Sequence, residues 1–66
     1  MNVSTQIKFL RAAFGARPTI STDAHARLAA ILDRADDEAL TAAYVAQIKF
    51  VSILARIRLI RRGLPV

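Results

Sequence analysis

Apolar residues along this chain recur at helical spacing rather than in the alternation of a strand. Val3, Ile7, Leu10 and Phe14 stand 4, 3 and 4 apart, one stripe of a helix. Gly15 follows as a C′ candidate and Pro18 as a stop, the order in which helices end. The pattern predicts a first helix over 3–14, roughly 18 Å long at ~1.5 Å per residue. A second stripe, Ala24, Leu28, Ile31 and Ala35, widened by Leu32, predicts a helix over 22–34. Ser21 or Thr22 can cap it, and Asp23 lies where a helix dipole favours an anion.

Asp36 followed by Asp37 and Glu38 reads as an N-cap and an acidic first turn, which places a break near 34–36. No Gly or Pro marks that break. The alternative is one helix from 22 to 62, whose stripe would pass from Ala35 to Ala39 by a four-residue stutter. With the break, a third helix is predicted over 37–62, roughly 39 Å long. The first two helices laid end to end reach nearly that length. The second would cover the Ala-rich half of the third, Ala39, Ala42, Ala43 and Ala46; the first, with Phe9 and Phe14, would meet the bulkier half.

Within 37–62 and just beyond, Ala39, Ala43, Ala46, Phe50, Ile53, Ile57, Ile60 and Leu64 repeat at alternating 4 and 3, an unbroken heptad seam. A second row, Leu40, Tyr44, Ile48, Val51 and Ala55 with Leu54 beside it, climbs another side. At 100° per residue the apolar arc spans roughly 220°, whereas one neighbouring helix hides about 100°. Leaving Phe50, Ile53, Ile57, Ile60 and Leu64 exposed would forgo ~7–15 kcal/mol, as much as a typical domain's whole stability. The reading is therefore an all-α, three-helix chain with a long C-terminal helix that assembles into an oligomeric helical bundle, a homodimer being favoured. Its self-association interface is expected at Phe50, Ile53, Leu54, Ile57, Ile60 and Leu64.

Sixty-six residues make one domain, 1–66, with 63–66 as a short tail. A chain this short buries only about 60% of the surface its unfolded form exposes, which strengthens the expectation of assembly. At 55% apolar and 23% charged it is too hydrophobic for disorder. It has no Cys and a single His25, so no disulfide, metal or cofactor site is expected.

Charge divides the chain more sharply than its net +5 suggests. Residues 1–22 hold Lys8, Arg11 and Arg17 and no acid, whereas 23–38 hold all five acids against Arg27 and Arg34. Residues 39–66 hold five bases and no acid. Basic ends with an acidic waist could pair head to waist between copies, or face an anionic partner. Lys8, Arg11, Arg17, Arg58, Arg61 and Arg62 are the candidate anion or nucleic-acid contacts. Arg58, Arg61 and Arg62 also suit the negative end of a helix dipole.

A helix-turn-helix over 24–48 fails because its recognition helix would open with Asp36, Asp37 and Glu38, the wrong charge for DNA. A spanning helix needs about 20 mainly apolar residues, and 44–60 holds only 17, with Lys49, Arg56 and Arg58 among them. No secretory apolar run precedes Lys8 and Arg11, and a cytoplasmic location is expected. Asp33, Asp36, Asp37 and Glu38 match no calcium loop, and Ser21, Thr22 and His25 have no acid placed to activate a hydroxyl. The expected function is a non-enzymatic interaction or regulatory protein that self-associates through its last helix and binds a partner protein. The alternatives are binding to a nucleic-acid backbone through the basic ends and, less favoured, action of a cationic helix at a membrane surface.

Overall fold

The computed structural model describes residues 2–15 and 19–66. Among these stand four α-helices and no strand: α1 (Val3–Phe14), α2 (Thr22–Arg34), α3 (Asp37–Val45) and α4 (Val51–Arg61). The first two helices have the bounds expected from their apolar stripes. Pro18, the expected stop, lies outside the described residues.

Side chains cap the first three helices. Asn2 Oδ1 accepts from the Thr5 amide at 2.8 Å, Ser21 Oγ from Ala24 at 3.1 Å and Asp36 Oδ1 from Ala39 at 2.8 Å. Each satisfies one amide that the helix start leaves without a partner. Ala35 and Asp36 are extended, at ψ 143° and 177°, so the chain breaks between α2 and α3 and a continuous helix from 22 is excluded. Gly15 stays right-handed, at φ −68°, rather than adopting the left-handed C′ conformation. A Cβ there would meet the Arg11 carbonyl oxygen at 2.6 Å, so close approach is what calls for glycine.

The single helix expected over 37–62 is two. Residues 46–50 turn the chain back, with Gln47 at φ 55° and Phe50 at φ 68°, both at positive φ, which residues with a Cβ rarely adopt. Arg62, just past α4, bonds Asp37 at the start of α3, so α3 and α4 run antiparallel as a hairpin. The physical reason is the 220° apolar arc. Two short helices cannot cover a straight rod so widely apolar, but a chain folded at 46–50 makes each half cover the other. Two positive-φ residues with a Cβ cost ~1–3 kcal/mol each. The turn seats Ile48 at 2% exposure and lets Val51 and Leu59 reach 0%, at ~1.5–3 kcal/mol per side chain. A 39 Å rod would also overrun a molecule whose longest dimension is 29 Å.

The fold reverses the expected pairing of the short helices. α1 packs on α3, the Ala-rich segment, and α2 packs on α4. Because α4 itself lies along α3, α2 is left with α4, to which the Asp33–Arg58 pair ties it. Core side chains come from all four helices, Leu10, Leu28, Leu32, Leu40, Val51 and Leu59 among them. Phe9 is 55% exposed rather than packed on the last helix, and Leu32 takes the inward place expected of Ile31.

Gly63 ends α4 in a Schellman motif. At φ 75° its amide bonds the Ile60 carbonyl at 3.0 Å, and the Leu64 amide reaches the Leu59 carbonyl at 3.0 Å. Leu64 packs back on the core, as that motif's apolar contact requires. The radius of gyration, 10.9 Å, is close to the ~10.8 Å of a compact 66-residue domain. The accessible surface of 4488 Å² is near the ~4,100 Å² of a free-standing 7.2 kDa protein. The buried core is thus built from side chains of all four helices of one chain.

Candidate functional site

The two apolar rows of the last third of the chain have opposite fates. Leu40, Ile48, Val51 and Ala55 of the second row are the core. The heptad seam is interrupted at the 46–50 turn, and its α4 part faces outward: Ile53 is 60% exposed, Ile57 38% and Ile60 52%. Of the six residues expected at a self-association interface, Phe50, Leu54 and Leu64 instead lean on the chain's own core. The three isoleucines remain as an apolar stripe at i, i+4 and i+7. Their exposure equals about one and a half isoleucine side chains, ~2–4.5 kcal/mol of burial not realised in the monomer. Complete exposure of five residues would have forgone about three times as much.

Cations flank this stripe. At 100° per residue Arg56 lies about 40° beyond Ile60, and Arg61 about 40° beyond Ile57 on the other side. Both are exposed, and among the described residues neither forms an ion pair. Lys49 sits at the N-terminal end of the stripe, its ammonium 5.3 Å from the Phe50 ring centroid, a cation–π distance.

The six candidate anion contacts separate. Arg58 donates to Asp33 Oδ1 at 2.7 Å and to the Leu54 carbonyl at 3.1 Å, with its side chain only 13% exposed. Arg62 donates to Asp37 Oδ1 at 2.8 Å and to the Ala35 carbonyl at 3.0 Å, clasping the α2–α3 break. Arg11 donates to the Ala46 carbonyl at 3.3 Å and so caps the end of α3 from another helix. Among the described residues Lys8 and Arg61 stay exposed without such partners, and Arg17 lies outside those residues. The cluster Arg58, Arg61 and Arg62 is thus split, two guanidiniums facing inward and one outward.

A groove of about 590 Å³ runs along the outside of α3, lined by Val3, Thr41, Ala42, Val45, Leu64 and Pro65, with Asp37 and Glu38 at one end. Val45 is 68% exposed there. The groove carried no signal in the stripe pattern, because its lining comes from α1, α3 and the tail together. A smaller hollow of about 440 Å³ sits at the α3–α4 turn, between Tyr44 and Ile53. Among the described residues no three His, Asp or Glu side chains converge to hold a metal ion, and no helix is long and apolar enough to cross a membrane. No family model matches this chain, and no match is found among curated proteins or solved structures.

Proposed function

We propose that this chain is a small, non-enzymatic helical interaction protein of a regulatory kind, whose working surface is the outer face of α4. It uses that face to associate with itself and to hold a partner protein. The observation that carries the reading is the stripe Ile53, Ile57 and Ile60: three isoleucines at helix-anchor spacing, facing solvent on a helix whose other side is buried at 0% exposure. Helices that dock into grooves on other proteins present anchors at this spacing. The nucleic-acid reading is the weaker one, since the Arg58 guanidinium is largely buried and Arg11 and Arg62 each already bond carbonyls or carboxylates of the same chain.

Light scattering over a concentration series from about 1 μM to about 1 mM tests the reading, because weak pairings of small interfaces fall in this range. The mass is expected to rise with concentration for the wild type and to stay monomeric for Ile57→Glu, with the circular dichroism of both unchanged. A folded wild-type chain that stays monomeric throughout would refute it.

A further inference from the structure

We infer that the receptor for the α4 face is the acid-ended groove along α3 of a second copy, so that copies pair stripe to groove and not stripe to stripe. The inference rests on reading α4 as the working face, and it goes beyond that reading by naming what covers it.

Charge decides between the two pairings. The stripe is flanked by Arg56 and Arg61, and no acid follows Glu38 anywhere in the chain. Two α4 faces laid together would set these guanidiniums against their own copies, with no anion between them. The groove offers the opposite sign. Glu38 is exposed and forms no ion pair among the described residues, and Asp37 stays 62% exposed although its Oδ1 holds Arg62. The acidic waist and basic end of the sequence are in this way carried onto two different apolar surfaces of the folded chain.

Dimensions agree with charge. From Asp37 to Val45 the groove follows α3 for about 12 Å, and Ile53 to Ile60 spans about 10.5 Å of α4. With Ile53 set at the Val45 end, Arg61 of one copy reaches the Glu38 end of the other. The two helices then run antiparallel, repeating between copies the arrangement α3 and α4 already have within one. The groove's ~590 Å³ and its apolar lining of Val3, Ala42, Val45 and Leu64 leave room for branched aliphatic side chains.

Two exposed substitutions separate the partners of the contact. Thr41→Lys puts a cation in the middle of the groove, and Ile53→Glu puts an anion on the stripe in the first turn of α4, where the helix dipole tolerates it. Each variant alone is expected to weaken self-association by about tenfold or more, as substitutions central to an interface do. An equimolar mixture should form a one-to-one pair at concentrations where neither variant associates alone, because the groove of one and the stripe of the other are intact. Raising salt from about 0.05 M to about 0.5 M should weaken the wild-type pairing, whereas stripe-to-stripe contact would be relieved by screening.

If Thr41→Lys associates like the wild type while Ile53→Glu does not, the groove assignment is overturned and the α4 working face stands. If both variants associate like the wild type, or the wild type never associates, both are overturned. A mixture that fails to pair, or a pairing that strengthens with salt, overturns the groove assignment alone.

Discussion

Replacing Gln47 by glycine distinguishes a folded-back hairpin from a continuous rod by the sign of its effect. In the hairpin Gln47 holds φ 55° in the left-handed region and its side chain is exposed, so little packing is lost when it is cut back. A residue with a Cβ bears ~1–2 kcal/mol in that conformation, which glycine relieves. Glycine also gives the unfolded chain more freedom, a loss of ~0.5–1 kcal/mol. The net gain is ~0.5–1 kcal/mol, which in a domain of this size raises the melting temperature by about 2–8 °C. In a helix running unbroken from 37 to 62 the same glycine would sit in the interior and cost ~0.5–1 kcal/mol. Thermal melting followed by circular dichroism reads the difference directly. Gln47→Ala serves as the control, since alanine would stabilise a continuous helix and gains nothing at a left-handed position. A Gln47→Gly chain that melts lower than the wild type, together with a Gln47→Ala chain that melts higher, would refute the account of why the last helix is broken.

Other substitutions follow from burial and hydrogen bonding. Leu40→Ala, at a side chain with 0% exposure, should cost ~2–5 kcal/mol in urea unfolding, whereas Ile60→Ala on the outer face should cost less than ~1 kcal/mol. Arg58→Ala removes a largely buried guanidinium that bonds both Asp33 and the Leu54 carbonyl and should lower stability by ~1–2 kcal/mol. Asp33→Ala, at a carboxylate 65% exposed, should lower it by under ~1 kcal/mol, an effect that fades as salt is added. Asp36→Ala leaves the Ala39 amide without its acceptor and should cost ~0.5–2 kcal/mol, visible as a lower urea midpoint at constant slope.

Where local rules suffice, the chain is legible residue by residue. The bounds of α1 and α2, the caps at Ser21 and Asp36, and the break between α2 and α3 all follow from stripes and capping chemistry within a few residues of each site. The turn at 46–50 was not legible, because it holds no Gly, Pro, Asn or Asp and both positive-φ positions fall on residues that ordinarily avoid them. Its one trace in the sequence was indirect: an apolar arc too wide for the helices available to cover it. Such a surplus asks for cover from further helices, and the α3–α4 hairpin supplies much of it from the same chain.

The candidate face divides along the same line. Periodicity alone identifies Ile53, Ile57 and Ile60 as members of an apolar row, and the order of charges along the chain places the acids in a waist and the bases at the ends. Which of two rows becomes core depends on which way the chain turns between them, and that turn is chosen by the sum of burial over four helices. Tertiary packing likewise took Arg58 and Arg62 inward to carboxylates on α2 and α3, leaving Arg61 outside. Local spacing fixes which residues share a side of a helix, through the backbone's own period; which side meets solvent is a property of the whole molecule, because burial is a contest among all the apolar faces at once.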